Sequence, residues 1–482
     1  MFAREPEKDA LLATAPTDAA FRVRSRAMSA RLAVETFAAR AAARMSRLAG
    51  AGGGTTLPGK LLWKLDPAAI DALAARLPHG TVVVSATNGK TTTTAMAAEI
   101  LEPRHRLAWN RSGANLVSGV ASTLLANRSA ELALLEVDEG ALPEVVRRVR
   151  PRAVLLGNLF RDQLDRYGEL EHVAQRWRDA TAALPHATTL VVNGDDPQVG
   201  DLAHGRDGAI AFGIDDSRHA RPGLQHAADS RYCVRCGHPY DFAAAYVGHL
   251  GDYRCPACGH ARPTLQVRAR EIELDGLESA SFLLETPGGS TRIRLPLPGL
   301  YNVYNALGAA AVAQALGSPL DDVRAGLERF NAAFGRFERI VSGNRSILVL
   351  LIKNPAGANE VVQTLLAGGA PSLILVALND AIADGKDVSW IWDVDFEPLL
   401  ARTDRLIASG DRAAELGVRC VYGGLAESAL EVEPDVERAL DRGLELTPAG
   451  GELVVLPTYT AMLALQRIVA ERGLAKHYWE RT

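Results

Sequence analysis

The sequence predicts an α/β protein made of two successive parallel-sheet units, the first of them interrupted by a small metal-binding insert. Three observations carry this. Short β-branched apolar runs alternate with longer helical patterns from about Leu57 to Arg329 and again from about Arg339, the rhythm of strands joined by helical crossovers. The 482 residues are enough for about three domains at roughly 150 residues each. Four of the five cysteines sit in two C-x-x-C pairs between the strand-like runs. The composition, 48% hydrophobic and 23% charged, excludes collagen-like, wholly disordered and disulfide-scaffold proteins. With 53 basic and 57 acidic side chains the net charge is −4, which gives no global case for nucleic-acid binding. No apolar run approaches the roughly 18–20 residues of a membrane span, and the opening MFAREPEKDA is charged where a secretory signal would turn apolar. The expected setting is the cytoplasm.

Taken in order, residues 1–56 read as a flexible tail and an Arg-rich helix. Phe21–Leu48 lacks Pro and Gly and sets Arg22, Arg24, Arg26, Arg31, Arg40, Arg44 and Arg47 against the single acid Glu35. Such a helix touches an anionic membrane surface or, more ordinarily, packs with a solvated basic face. Ala49–Thr56 is a Gly-rich break. Residues 57–334 form the next unit, with buried strands at Thr81–Val84, Leu132–Val137, Ala153–Gly157 and Thr189–Val192. An insertion at about Asp216–Pro263 precedes strands at Val267–Leu274, Ser281–Leu284 and Thr291–Leu295 and a helix through Tyr304–Ala315. Residues 335–482 form a second α/β unit with strands at Ser346–Ile352, Leu373–Val376, Arg405–Ala408 and Glu452–Val455.

Inside the insertion, Cys233-Val-Arg-Cys236 and Cys255-Pro-Ala-Cys258 are separated by 18 residues and each is followed by glycine. This spacing fits a tetrahedral thiolate zinc site rather than a redox pair or disulfides. Four thiolates leave no position for a reacting water, so the zinc is expected to be structural. The remaining cysteine, in Gly417-Val-Arg-Cys420-Val-Tyr422, reads as a small hydrophobe on a buried strand.

Thr81–Thr94 runs from an apolar strand through a small-residue loop into a helix. That order aims backbone amides and a helix N-terminus at an anion. Lys90 would reach the β- and γ-phosphates and the Thr91 hydroxyl would ligate magnesium. Only Gly89-Lys90-Thr91 of the standard pattern is met, because Val84 stands where that pattern has glycine. Glu136, Asp138 and Glu139 end the next apolar strand and suit magnesium at the same sheet edge. Asn158–Asp165 follows the strand after that.

These pieces resemble the Mur ligases, the ATP-dependent amide-forming enzymes of peptidoglycan synthesis. The matching stretches are Ala86-Thr-Asn88-Gly89-Lys90-Thr91-Thr92, Glu136-Val-Asp-Glu139, Asp162-Gln-Leu-Asp165, Asn193-Gly-Asp-Asp-Pro197 and Pro298-Gly-Leu-Tyr-Asn302-Val-Tyr-Asn305. The resemblance implies a Mur-ligase-like central ATPase domain with a zinc-ribbon insert and a C-terminal Rossmann-like domain. It also implies ATP binding by Asn88, Gly89, Lys90, Thr91, Thr92, Asn302, Asn305 and Arg336, and magnesium binding by Thr91, Glu136 and Glu139. Ala86 replaces a usual glycine, Gln163 replaces the metal-binding histidine of amino-acid-adding relatives, and Gln175-Arg-Trp-Arg178 occupies the region of their carbamylated lysine.

Lys353-Asn-Pro355, Asp384-Gly-Lys-Asp387-Val-Ser-Trp-Ile-Trp-Asp393, Pro457-Thr-Tyr-Thr460 and the four cysteines narrow the resemblance to the synthetase subunits of lipid II isoglutaminyl synthase. By that resemblance, the D-glutamate α-carboxylate of the lipid II stem peptide is phosphorylated and then attacked by ammonia, giving D-isoglutamine. The alternative is an amino-acid-adding Mur ligase or a folylpolyglutamate-synthase-like ligase. Cys420 has no G-x-C-x-G elbow around it, so ammonia is expected from a GatD-type glutaminase partner. An aspartate of this chain would complete that partner's triad, with Asp387 ranked above Asp384 and Asp393 also a candidate. The expected place of work is cytoplasmic, peripheral at the inner membrane face where lipid II lies.

Overall fold

The computed structural model describes residues 56–474 except 112, 163–168, 227 and 332–335, with the Arg336 side chain also outside the description. The expected tail and Arg-rich helix, and Gln163 and Asp165, lie outside the described residues. Among those described, no helix is long and apolar enough to cross a membrane.

Two sheets carry the architecture. The first has nine strands: β1 (Thr81–Ser85), β2 (Leu107–Trp109), β3 (Leu132–Glu136), β4 (Ala153–Leu156), β5 (Thr189–Asn193), β6 (Ile210–Ile214), β9 (Val267–Asp275), β10 (Ser279–Thr286) and β11 (Gly289–Leu295). Their spatial order is β11-β10-β9-β6-β5-β4-β1-β3-β2. The seven strands from β2 to β9 pair in parallel, and β9, β10 and β11 form an antiparallel meander. Between β6 and β9 the chain leaves the sheet to form a separate hairpin, β7 (Asp241–Val247) and β8 (Leu250–Arg254). All five residues of β1 and of β3 are buried, as expected where helices cover both faces of a parallel sheet.

Helices α1 (Leu57–Leu65), α2 (Ala69–Ala75), α3 (Lys90–Leu101), α4 (Val117–Ala126), α5 (Leu142–Val149), α6 (Leu170–Ala182), α7 (Leu300–Ala315) and α8 (Leu320–Arg329) clothe this sheet. The run from Asn302 to Ala313 on α7 is wholly buried. Its alanines let neighbouring backbones approach where larger side chains would hold them apart.

The second sheet contains β12 (Arg336–Ser342), β13 (Arg345–Leu350), β14 (Leu373–Ala377), β15 (Arg405–Ser409), β16 (Leu430–Val432) and β17 (Glu452–Pro457), in the order β12-β13-β17-β14-β15-β16. It is parallel except for β12. Helices α9 (Pro355–Ala367), α10 (Ala413–Tyr422), α11 (Val436–Leu446) and α12 (Tyr459–Glu471) pack around it.

One local expectation fails. Cys420 lies on helix α10, not on a strand. Exposed Val418 and Tyr422 alternate with Cys420 and imitate a period of two, yet the buried set Ala413, Leu416, Gly417 and Cys420 has helical spacing. The cysteine is 1% exposed and burial pushes its thiol up to about 12, so its reading as a small hydrophobe stands.

Asp195 ties the insertion to the sheet. Its Oδ2 accepts from the Tyr304 hydroxyl at 2.6 Å and the Ile214 amide at 2.8 Å, and its Oδ1 from Arg262 at 3.1 Å. Complete burial raises the carboxyl from 3.8 to about 6, against the opposing pull of Arg262. The folded chain therefore holds this proton up to about pH 6, whereas the unfolded chain releases it near 4. Stability from this group is present at low pH and is lost as pH rises through that window. Relative to Asp195→Asn, the native chain should gain on the order of 1–3 kcal/mol as pH falls from about 6.5 to 4. Urea midpoints of the two proteins check this; a difference that stays flat with pH contradicts it.

Candidate active site

Strand β1 delivers the chain into the turn that starts α3. Gly89 caps that helix at φ +84°, and a Cβ there would lie 2.0 Å from Asn305 Oδ1. Glycine is needed both for the left-handed backbone and for the close approach of α7. Asn158, after β4, clamps the loop from beside it: its Oδ1 accepts from the Asn88 amide at 2.9 Å and its Nδ2 donates to the Asn88 carbonyl at 3.1 Å.

Lys90 Nζ lies 2.8 Å from Glu139 Oε2, contacts the Ala86 carbonyl and reaches the Thr87 carbonyl at 3.3 Å. Both partners are buried. Burial alone would lower the Lys90 ammonium, but Glu139, with Asp138 and Glu136 behind it, raises it. Burial would raise Glu139, but Lys90 and Lys353 hold it below the usual range. The sequence placed Lys90 on phosphate and Glu139 on magnesium; the fold places them on each other. Glu136 points into the same corner, its Oε1 accepting from Asn115 at 3.1 Å. Thr91, Glu136 and Glu139 are an all-oxygen set suited to magnesium.

The neighbouring cleft encloses about 1010 Å³ of space, the open solvent at its mouth included. Thr92, Asn302 and Asn305 line it. Asn305 accepts from Thr93 Oγ1 at 3.2 Å and donates to Asn302 Oδ1 at 3.0 Å, while Asn302 donates to the Pro298 carbonyl at 2.8 Å. Val247 and Leu250, at the tip of the β7–β8 hairpin, supply an apolar wall. That tip is wedged in place: a Cβ on Gly248 would lie 2.7 Å from Phe160, and fully buried His249 sits 3.3 Å from Asp196. Arg336 opens β12 next to Phe337, which lines the cleft.

Across the cleft, the second unit meets the first directly. Asn88 and Asn354 exchange amide hydrogen bonds at 3.2 and 2.9 Å, Lys353 pairs with Asp162 at 2.5 Å, and Arg221 pairs with Glu360 at 2.5 Å. Asn354 also caps α9 through the Gly357 amide at 2.9 Å. Burial raises Asp162 despite Lys353. Sequence reasoning quoted Asn158, Lys353 and Asn354 within motifs but gave them no role, and it missed Val247 and Leu250. Asn354-Pro355 is a helix-start signal that could have located one of them.

The four cysteines converge. Cys233–Cys258 and Cys236–Cys255 sulfurs are each 3.5 Å apart, and all four lie within 4.8 Å of one another. Tetrahedral zinc with Zn–S of about 2.3 Å sets its sulfurs about 3.8 Å apart, so this donor set fits zinc. Gly237 and Gly259 take φ +74° and +77°, closing two equivalent turns. Tyr240, Tyr253 and His260 form the small apolar and aromatic base beneath them.

The loop after β14 separates the three aspartates. Asp384 is buried with both oxygens on Thr460, accepting from its amide at 2.8 Å and its hydroxyl at 2.5 Å. Burial raises its carboxyl in spite of those bonds. Asp387 is exposed and accepts from the Ser389 amide at 2.8 Å, and the Ser389 hydroxyl, with that amide, lowers its carboxyl. Asp393 lies 3.4 Å from Arg161.

Comparison with known proteins agrees with this geometry. Residues 84–248 match the Mur ligase middle domain and residues 351–462 match the MurT ligase C-terminal domain. The chain is 33% identical over 442 residues to the MurT subunit of lipid II isoglutaminyl synthase (glutamine-hydrolysing) from Streptococcus pneumoniae, covering 90% of this chain and 95% of that one. The fold resembles a pseudomurein peptide ligase type C from Methanothermus fervidus, with TM-score 0.63, 22% identity and coverage of 81% and 78%. It also resembles the MurF ligase of Thermotoga maritima solved with ADP, with TM-score 0.60, 15% identity and coverage of 89% and 86%.

Replacing Lys90 by Met removes the charge that Glu139 is buried against. ATP affinity should fall on the order of 100-fold, as when one preorganised charge contact is deleted, while urea titration still shows a folded chain. Calorimetric titration with ATP and magnesium checks this; unchanged affinity removes Lys90 from the site.

Proposed function

This chain belongs to the MurT family within the Mur ligases, and from that premise we propose how its residues serve that family's reaction. The chain is an ATP-dependent carbon–nitrogen ligase, the synthetase subunit of a lipid II isoglutaminyl synthase. It amidates the stem-peptide D-glutamate of lipid II. The single observation that carries the nucleotide reading is the buried Lys90–Glu139 pair at the C-terminal ends of β1 and β3, beside a helix N-terminus and an open cleft.

In this reading ATP lies with its phosphates on the amides of Asn88–Thr92 and its base toward Asn302, Asn305 and the Val247–Leu250 wall, with Arg336 nearby. Lys90 leaves Glu139 for the phosphates, and Thr91, Glu136 and Glu139 hold magnesium. That magnesium supplies positive charge to the transferring phosphoryl group. The γ-phosphoryl passes to the D-glutamate α-carboxylate, ADP leaves, and ammonia then displaces phosphate from the acyl phosphate to give the amide. Lys353 faces this region from the second unit, the Rossmann-like domain of our reading. The Asn88–Asn354 bridge draws that unit over the cleft, where it excludes water from a hydrolysable intermediate.

Ammonia comes from a GatD-type glutaminase. Exposed Asp387 is the residue we assign to orient the partner's histidine, whereas Asp384 is occupied in holding the loop to Thr460. Ile382, Trp392 and Tyr422, exposed at 84%, 51% and 79%, border this loop and fit a partner-facing surface. The four cysteines hold structural zinc that stiffens the hairpin wall. Work at the inner membrane face, where lipid II is found, completes the reading.

With the partner, lipid II, ATP and magnesium, Asp387→Asn should lose amidation driven by glutamine by roughly 100-fold or more and keep amidation driven by ammonium. Mass spectrometry of the stem peptide reads both; equal loss with ammonium returns Asp387 to the synthetase site, and no loss removes it from the triad. Independently, Cys255→Ser should weaken ATP binding several-fold by loosening the Val247–Leu250 wall, measured by calorimetric titration. Unaltered ATP affinity separates the insert from the nucleotide site.

A further inference from the structure

At the far end of the first sheet, three neighbouring parallel strands begin next to ionisable side chains. His79 stands two residues before β1, His105 two before β2 and Glu131 one before β3. Because β3 lies between β1 and β2, Glu131 is flanked by the two histidines. The backbone fixes their spacing: the His79 amide donates to the Glu131 carbonyl at 2.9 Å, and the Glu131 amide donates to the Arg106 carbonyl at 2.8 Å. One ligand atom from each of the three side chains lies within 4.8 Å of the others.

The ring geometry is that of two imidazoles sharing an ion. The His79 and His105 centroids are 5.1 Å apart with planes at 65°. Two imidazoles on one tetrahedral ion, with metal–nitrogen bonds of about 2.1 Å, have centroids about 5.2 Å apart. His105 Nδ1 is buried without a hydrogen-bond partner. Glu131 Oε1 takes Arg106 Nη2 at 2.6 Å, while Oε2 has only a 3.4 Å contact with the Arg106 amide. One carboxylate oxygen is thus oriented by arginine and the other remains for a metal, the division of labour seen around many metal carboxylates.

We propose that His79, His105 and Glu131 form a second metal site, for a divalent transition ion of the zinc class, with water in the remaining position. The five residues of β1 or of β3 at about 3.3 Å per residue put it more than roughly 16 Å from the phosphate loop, so its role is to tie three strand starts together and not to take part in phosphoryl transfer. Arg104 and Arg152 bring positive charge close to His105. The same arginines oppose a dication, which sets the affinity below that of the four-thiolate cluster.

The test is cobalt titration of the full chain with its cysteine cluster already filled with zinc. One further equivalent of cobalt should bind, giving the weak visible bands of nitrogen and oxygen ligands without a new sulfur-to-cobalt charge-transfer band. His79→Ala with His105→Ala should weaken that binding on the order of 100-fold or more, and Glu131→Gln, which keeps the shape of the carboxylate, by about 10-fold. Cys255→Ser should leave it in place; unchanged ATP affinity of the His79, His105 and Glu131 variants, and a cooperative urea transition of Cys255→Ser, report that each is folded. No cobalt binding beyond the cysteine cluster, or equal binding by the double-histidine variant, overturns the proposal.

Discussion

The organisation of this protein depends on a charge pair that water does not reach. Lys90 opens α3 after β1, Glu139 lies in the loop after the neighbouring β3, and the two meet at 2.8 Å beyond the ends of both strands. Removing two charges from water is costly, and only close pairing with further hydrogen bonds offsets it. The Ala86 and Thr87 carbonyls and the cations Lys90 and Lys353 around Glu139 supply that offset. A pair of this kind is a weak source of net stability but a strong source of position. It holds the ammonium in the loop where an anion would replace Glu139, and it holds the carboxylate where a hard cation would replace Lys90.

Around that point the protein assembles a cleft from parts that are remote in the chain. Asn158 fixes the loop from β4, Asn305 closes on Gly89 from α7, and Asn354 reaches Asn88 from the second sheet. Each is an uncharged amide, able to donate and accept at once. Two further charged contacts join the units, Lys353 with Asp162 and Arg221 with the buried Glu360. The insertion joins the same assembly. Arg262 and Tyr304 meet on Asp195, and the hairpin tip packs on Phe160. The cysteine cluster therefore braces a hairpin whose other end is a wall of the cleft.

The second sheet presents a different surface. Arg419, 4% exposed, donates to the Ile391 and Val394 carbonyls at 3.1 and 2.8 Å and lies 5.5 Å from the Trp392 ring. A buried arginine thus shapes the tryptophan loop from beneath, while Thr460 holds Asp384 at its start. Rigid support below and exposed aromatic side chains above are what a docking surface needs, because little ordering entropy remains to be lost on association.

Much was legible in the sequence because it is local. Apolar runs located the strands at Thr81, Leu132, Ala153 and Thr189 to within a residue or two, since a strand buried on both faces must be apolar throughout. The phosphate loop and the paired C-x-x-C turns are contiguous patterns whose chemistry requires fixed spacing, so their convergence followed from spacing alone. Other features were decided only by the tertiary structure. Periodicity over six residues could not distinguish a helix from a strand at Cys420, and the packing of Leu416 and Gly417 chose the helix. The pairing of Lys90 with Glu139 spans 49 positions of the chain, the burial of Asp384 on Thr460 spans 76 and the Asn88–Asn354 bridge 266, and the Val247–Leu250 wall depends on the hairpin's place beside the cleft. A residue's type fixes what it can bond to; only the folded chain fixes which partner is within reach.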